Sequence, residues 1–303
     1  MPPIRWLDDG GVVLPAPAKI NLFLHIVGRR ADGRHRLQTV FRLLDLADEV
    51  ELHPRADGRI ERSAGMADLP PEQDLAVRAA LALRAATGCT AGVTLAVRKA
   101  IPAGGGLGGG SSDAATVLLG LNRLWRLGLA RERLMEIGLA LGADVPFFIY
   151  GRSAFAEGIG ELLRAVDLPP ADYLVVFPGT SVPTAEIFSA PELTRNTPEI
   201  TVASFSEAML FAAPGSGRQD TLGFGHNDME PVAASRYPRV RTALDWLHAN
   251  RLHGRMSGSG ASCVAQLPQG ANSSVLELPA GMTATMASGV DVHPLLDWTG
   301  QLP

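Results

Sequence analysis

Residues 104–110 carry six glycines in seven positions, Gly104-Gly105-Gly106-Leu107-Gly108-Gly109-Gly110, between Pro102-Ala103 and Ser111-Ser112-Asp113. Such a run is foreign to the interior of a helix or strand, where each glycine costs about 0.5–1 kcal/mol relative to alanine. Upstream lies the strand-like Val93-Thr94-Leu95-Ala96-Val97. Downstream, three residues of N-cap type lead into the apolar series Ala114, Ala115, Val117, Leu118, Leu121, Leu124 and Trp125. The order reads as strand, glycine loop, helix, with the helix opening at residues 111–113. Glycine lets successive N–H groups turn to one side with no side chain in the way, and a helix N-terminus adds unpaired donors and about half a positive charge. The loop is an anion cradle, and a nucleotide phosphate is the anion that suits it best. Its place inside a dense apolar pattern excludes a flexible linker.

Two better-known phosphate loops are excluded by their surroundings. Residues 104–109 satisfy G-x-G-x-x-G, yet the next segment is a second helical pattern over residues 131–141, without the strand and acidic residue that a dinucleotide fold requires. A Walker loop ends in Lys-Ser or Lys-Thr, whereas this one ends in Gly110-Ser111.

Composition narrows the classes further. A chain of 303 residues with 46% hydrophobic and 19% charged residues is that of a globular protein of one large or two ordinary domains. A net charge of −4 without a basic block gives nucleic acid nothing to bind. No run of eighteen apolar residues exists and the first residues lack the apolar core of a signal peptide, so a cytoplasmic protein with no membrane partner is expected. Cys89 and Cys263 stand alone, as reduced thiols, and the seven histidines form no H-x-x-x-H pair for zinc.

Along the chain, Val12-Val13-Leu14 and residues 20–27 read as two strands separated by Pro15-Ala16-Pro17-Ala18. Lys19 and Asn21 share one face of the second, as a solvated edge or as a functional pair. A third strand spans residues 34–41, and residues 50–53 and 59–61 flank Ala56-Asp57-Gly58 as a hairpin. A helix runs from an Asp74 N-cap to Gly88, and another stops at Gly142, just before Asp144, itself either a turn residue or an acid on display. Residues 153–166 read as a hairpin about Gly158-Ile159-Gly160. A fresh strand at residues 173–177 follows Pro169-Pro170, which places a boundary near residue 168 and divides the chain into residues 1–167 and 168–303. Beyond it come helical stretches at residues 184–188, 203–211, 227–234 and 240–250 and a glycine-rich loop over residues 214–225. A second glycine corner, Met256-Ser257-Gly258-Ser259-Gly260-Ala261, then enters a strand at residues 263–265. The last forty residues are poorly patterned, with one helix and one strand, Val290-Asp291-Val292, expected.

Three stretches, Pro17-Ala18-Lys19-Ile20-Asn21, the glycine loop after Pro102, and residues 256–261, together resemble the three signature motifs of the GHMP small-molecule kinases, the family of galactokinase, homoserine kinase, mevalonate kinase and phosphomevalonate kinase. Four further stretches are similar to the branch of that family acting on 4-diphosphocytidyl-2-C-methyl-D-erythritol in the non-mevalonate isoprenoid pathway. They are Ala31-Asp32-Gly33-(x)-His35-(x)-Leu37-Gln38-Thr39, Leu141-Gly142-Ala143-Asp144-Val145-Pro146, Ala154-Phe155-Ala156-Glu157-Gly158 and Pro191-Glu192-Leu193-(x)-Arg195-Asn196-Thr197-Pro198. The resemblance implies an α+β, two-domain GHMP kinase fold. Its N-terminal domain is ribosomal protein S5 domain 2-like and binds ATP; its C-terminal domain is ferredoxin-like and completes the substrate site.

The same resemblance implies transfer of the γ-phosphoryl group of ATP, with Mg2+ on the phosphates, to the 2-hydroxyl of that small-molecule substrate. Asp144 is then the general base and Lys19 its partner at the acceptor oxygen. Pro102, Gly104, Gly105, Gly106, Leu107, Gly108, Gly109 and Gly110 surround the phosphates, Ser111 or Ser112 adds a hydroxyl, and Lys99 lies near the nucleotide, or is simply solvated. Asn21 bonds the substrate, Thr184 its diphosphate, His35 the edge of the cytosine and Phe188 its face. Arg34 departs from the family, which commonly has a stacking tyrosine there; a guanidinium can stack in its stead. Asp74 stands where an asparagine is usual. Another alcohol acceptor within the family, or an inactive ligand sensor on the same fold, are the competing readings, and retention of both Lys19 and Asp144 opposes the second.

Overall fold

The computed structural model describes residues 1–66, 69–211, 220–268 and 277–299. Its strands are β1 Arg5–Trp6, β2 Val12–Arg29, β3 His35–Arg55, β4 Ile60–Ala64, β5 Gly92–Arg98, β6 Ala154–Glu157, β7 Leu162–Ala165, β8 Asp172–Phe177, β9 Gly254–Met256, β10 Cys263–Gln266 and β11 Thr283–Val290. They join in the order β1-β2-β3-β11-β8-β10-β9, with β5 and β6 branching from opposite halves of β3. The helices are α1 Leu75–Thr87, α2 Gly109–Leu124, α3 Arg131–Leu139, α4 Val145–Tyr150, α5 Thr184–Ser189, α6 Val202–Phe211, α7 Glu230–Arg236 and α8 Pro238–Ala249.

β2 belongs to three cores at once. Leu14 and Ala16 pack beneath α1–α4, while Leu24 and Ile26 join the layer that α5, α7 and α8 form on β8–β10. Between them Ile20, Leu22 and Phe23 enter a middle cluster with Phe155, Tyr173, Val175, Phe205 and Val264. The Phe23 ring lies 6.0 Å from Phe155, 5.9 Å from Phe205 and 5.4 Å from Phe224, so three separate segments meet on it.

Several sequence expectations are corrected. The prolines do not split the first strands: β2 is one 18-residue strand, and Pro15 and Pro17 pair with Glu49 and Ala47 of β3. Being two apart, they lack N–H groups on one side only, and on that side β1 covers just Val12 and Val13. Likewise β3 is continuous through residues expected as separate strands. The turn at Ala56-Asp57-Gly58 exists, but β4 pairs in parallel with β5, which lies between β4 and β3. Parallel strands need a crossover, and α1 supplies it. Residues 111–113 lie inside α2 rather than at its cap, which is Gly108, and α3 stops at Leu139, three residues before Gly142, whose N–H closes on the Gly138 carbonyl. In the tail, β11 ends where a strand was expected to begin, and among the described residues after α8 there is no helix. Most of β11 is exposed or half-buried, which is why its residues carry so little pattern. The 153–166 hairpin is present as β6 and β7. The part of the expected glycine-rich loop over residues 214–219 lies outside the described residues.

Asp74 caps α1 by accepting the Ala76 N–H, and Gly88 ends the helix at φ 69°. In α2, Gly120 lets the helix settle on the sheet: a Cβ there would lie 2.6 Å from Leu52 Cδ1 and 2.7 Å from Leu14 Cδ1. Gly120→Val is therefore expected to destabilise the protein by about 1–3 kcal/mol through overpacking, despite its better helix propensity, measured by denaturant unfolding. A variant as stable as the parent would show that α2 does not depend on this close approach.

Candidate active site

The glycine loop owes its shape to the second glycine corner. The N–H groups of Ala261 and Ser262 donate to the carbonyls of Gly104 and Gly105 at 3.3 and 3.0 Å, and the Ser257 hydroxyl donates to the carbonyl of Gly106 at 3.1 Å. Asn227 holds that corner by donating Nδ2 to the carbonyls of Met256 and Gly258, both at 2.8 Å. With its carbonyls so engaged, the loop keeps its amides free. Among the described residues, none of the N–H groups of residues 104–108 has a hydrogen-bond partner. Gly104, Gly106 and Gly108 all have φ near +70°, at 66°, 74° and 73°. Alternation of left-handed with ordinary residues turns successive amides into a nest, and the 16-residue α2 begins at its end.

Lys19 and Asp144 meet beside this nest. Register shifts in β2 between Pro17 and Lys19 and between Asn21 and Leu24 isolate a short segment, and such bulges re-aim side chains. Lys19, 3% exposed, places Nζ 2.7 Å from Asn21 Oδ1, 3.4 Å from Asp144 Oδ2 and 5.0 Å from the centre of the Phe41 ring. Asn21 Nδ2 in turn donates to Thr39 Oγ1 at 2.8 Å, so the amide orients the lysine. Asp144 occupies the cap position of α4 without capping it, and its carboxylate, one-third exposed, turns to the lysine instead. Separation at 3.4 Å leaves both groups within reach of one incoming hydroxyl oxygen.

Three chambers follow one another here. The first, about 390 Å³, lies between the glycine loop and the start of α1, lined by Leu69, Asp74, Leu75, Lys99, Pro102 and every residue from 104 to 111. The second, about 350 Å³, contains Lys19, Asn21, Asp144, Thr184 and Gly258, and shares Gly104, Gly106, Gly108 and Ser111 with the first. A third, about 610 Å³, contains Arg29, Arg34 and His35 and shares Leu37, Ala143, Ile159 and Phe188 with the second. An amide nest, an acid-amine pair and a cationic aromatic chamber in series would accommodate a phosphate donor and a long anionic acceptor.

Residues 74–152 match the sequence model of the GHMP kinases N terminal domain, and residues 212–277 that of the GHMP kinases C terminal domain. The 4-diphosphocytidyl-2-C-methyl-D-erythritol kinase of Bordetella bronchiseptica is 55% identical over 255 residues, 84% of this chain and 82% of that one. The kinase of the same name from Thiobacillus denitrificans is 52% identical over 286 residues, 94% and 97% of the two chains. The chain belongs to the 4-diphosphocytidyl-2-C-methyl-D-erythritol kinase family of GHMP kinases. A crystal structure of 4-(cytidine 5'-diphospho)-2C-methyl-D-erythritol kinase superposes with a TM-score of 0.76 at 35% identity, covering 91% of this chain and 98% of that one. The homoserine kinase of Cytophaga hutchinsonii, 17% identical, shares the GHMP kinase fold with a TM-score of 0.64, covering 97% and 98% of the two chains.

Within this GHMP kinase the remaining sequence-derived residues are distributed as follows. Ser111 lines the first two chambers, whereas Ser112 is fully buried and its hydroxyl has no hydrogen-bond partner among the described residues. Thr184 shares a 2.7 Å hydrogen bond with Ser259 of the second corner. His35 stacks on Phe188, with ring centres 4.8 Å apart and planes at 15°, and Arg34 is exposed on the chamber wall. Asp74 is occupied twice, as the cap of α1 and in a 2.8 Å ion pair with Arg62. Lys99 is not a free solvated lysine: its ammonium lies between Asp48 and Asp113, 2.6 Å from the latter. Asp48, Asp113, Asn227 and Ser257 escaped the sequence reading. Asp48 gives no signal of its own, being one of four acidic residues between positions 45 and 51 of β3, and its partners are 51 and more residues away.

One lysine between two carboxylates leaves one negative charge in excess, so a carboxylate titrates and the ammonium does not. Burial raises Asp113 to about 7; Lys99 opposes the rise and Asp48 adds to it. Burial alone would lower Lys99, but Asp113 and Asp48 outweigh it and hold the ammonium above its ordinary value. A raised carboxyl favours the folded state fully below its unfolded value of 3.8 and loses that contribution as pH rises through about 7. The stability of the parent relative to Asp113→Asn is expected to decline from pH 4 to pH 7, measured by denaturant unfolding at each pH; parallel curves would contradict this. A Cβ at Gly106 would lie 2.2 Å from the Ser257 carbonyl oxygen at a left-handed φ. Gly106→Ala is expected to part the loop from the second corner and weaken ATP binding at least about tenfold, measured by calorimetry.

Proposed function

We propose that the chain transfers the γ-phosphoryl group of ATP to the 2-hydroxyl of 4-diphosphocytidyl-2-C-methyl-D-erythritol. The observation that carries this reading is the position of the Lys19–Asp144 pair, in a chamber continuous with the amide nest on one side and with the His35–Phe188 chamber on the other. ATP occupies the first chamber with its β- and γ-phosphates on the free amides of the loop. The cytidyl end of the acceptor lies near His35 and Phe188, its diphosphate near Thr184 and Arg34, and the methylerythritol between Lys19 and Asp144. We divide the chain near residue 168, the first part holding the nucleotide and the second completing the acceptor site.

In this mechanism Asp144 accepts the proton of the 2-hydroxyl as its oxygen bonds to the γ-phosphorus. The bond from that phosphorus to the β,γ-bridging oxygen breaks, and ADP leaves. Lys19, held by Asn21, stabilises the negative charge growing on the attacking oxygen, and the amides hold charge on the transferring phosphoryl group without having to reorganise. Among the described residues no cluster of three His, Cys, Asp or Glu side chains is arranged for a metal. Mg2+ is usually held by nucleotide phosphates and water with few protein ligands. The Ser111 hydroxyl, at the junction of the first two chambers, is the side chain suited to complete its shell. Bound there, the ion would offset charge on the phosphates.

We place the activity in the cytoplasm, where ATP is available. The unpaired thiols of Cys89 and Cys263 fit a reducing compartment, and no described helix is long and apolar enough to cross a membrane. The decisive measurement is ATP consumption with the cytidyl substrate beside homoserine, galactose and mevalonate. Turnover is expected with the first alone, and Asp144→Asn is expected to lower kcat roughly 10²–10⁴-fold while still binding ATP and substrate. Near-normal kcat in that variant would remove Asp144 from the base role.

A further inference from the structure

Arg195, in the motif over residues 191–198, contacts both ring residues of the third chamber. Its Nη2 donates to the carbonyls of Phe188 and Ala190 at 3.2 and 2.6 Å, its Nη1 to that of Leu193 at 2.9 Å, and its Nε to Nε2 of His35 at 3.2 Å. A guanidinium offers hydrogens only and keeps its charge throughout the working pH range. His35 Nε2 must therefore supply a lone pair, which an imidazolium cannot do. The ring is neutral, and its proton resides on Nδ1. Burial first, then the charges of Arg29 and Arg195, hold His35 below the ordinary imidazole range, in agreement with that geometry. Among the described residues Nδ1 has no hydrogen-bond partner, and His35 lines the chamber, which contains two arginines and no carboxylate.

We propose that Arg195 is a positioning residue that fixes His35 as an Nδ1–H donor and thereby selects cytosine over uracil at the far end of the acceptor. The inference rests on the functional reading above for the identity of the base. Cytosine presents a lone pair at N3 and accepts from such a donor. Uracil presents N3–H, and two donors facing each other leave both unpaired. The same guanidinium anchors the carbonyl of Phe188, so one cation sets the position of the stacking ring and the tautomer of the histidine that lies 4.8 Å from it.

The test compares calorimetric binding of CDP and UDP, with the ATP chamber saturated by a non-hydrolysable analogue, in the parent, Arg195→Met and Arg195→Lys. The parent is expected to favour CDP by roughly 10–100-fold, the cost of an unpaired donor. Arg195→Met is expected to bring the ratio close to one, and Arg195→Lys, which can still donate, to restore part of it. Equal weakening of both ligands with the ratio unchanged would reduce Arg195 to a structural support and overturn the proposal. Nitrogen-15 NMR of the ligand-free parent reads the tautomer directly, whether or not Arg195→Met folds, and a proton on Nε2 of His35 would also overturn it. A protein that prefers CDP in the expected way yet phosphorylates no cytidyl alcohol would count against the proposed reaction and for this inference.

Discussion

Everything in the catalytic cleft depends on the seam between the two glycine corners. A loop of six glycines among seven residues has no shape of its own; its many backbone conformations would have to be frozen at a cost of about 1–2 kcal/mol per residue. The second corner removes that freedom by engaging the carbonyls of Gly104, Gly105 and Gly106. The consequence is directional. A peptide whose carbonyl is held on one side presents its N–H to the other, so pairing with a segment some 150 residues away leaves a row of unpaired donors in the cleft. The residues that carry these donors line the first chamber, where an anion can satisfy them.

The acceptor side is built on a different constraint. β2 is shared by all three cores and so cannot move without disturbing each of them. Lys19 and Asn21 project from the stretch between two of its register shifts, and the lysine is then held by an amide, a carboxylate and a ring face. A four-carbon side chain that would otherwise sample many rotamers is left with one useful position. Such preorganisation is what phosphoryl transfer asks of a protein, since the covalent chemistry belongs to the nucleotide and the alcohol.

Local features of both halves were legible from residues alone. The Asp74 cap, the Gly88 stop and the hairpin of β6 and β7 follow from residue types at fixed offsets, because their hydrogen bonds close within a few positions. Failures share a cause as well. Residue pattern divides β3 into pieces and pairs β4 with the wrong neighbour, because pairing across α1 is a non-local choice. Residue pattern leaves Lys99 between two readings because Asp48 and Asp113 reach it from different elements, and it leaves Asp144 between a turn residue and a displayed acid until the family motifs pair it with Lys19.

The sequence by itself determined that a glycine loop leads into a helix, that the family is that of the GHMP kinases, and that a lysine and an aspartate stand in the motifs that matter. These are properties of residue type, order and spacing, which survive without coordinates. Only the tertiary structure decided that the loop amides are free, that Asp74 is already engaged, that Ser112 is out of reach, and that Arg195 dictates which nitrogen of His35 carries the proton. Each of those depends on a contact between residues far apart in the chain, where the partner and its direction are set by packing rather than by neighbours in sequence.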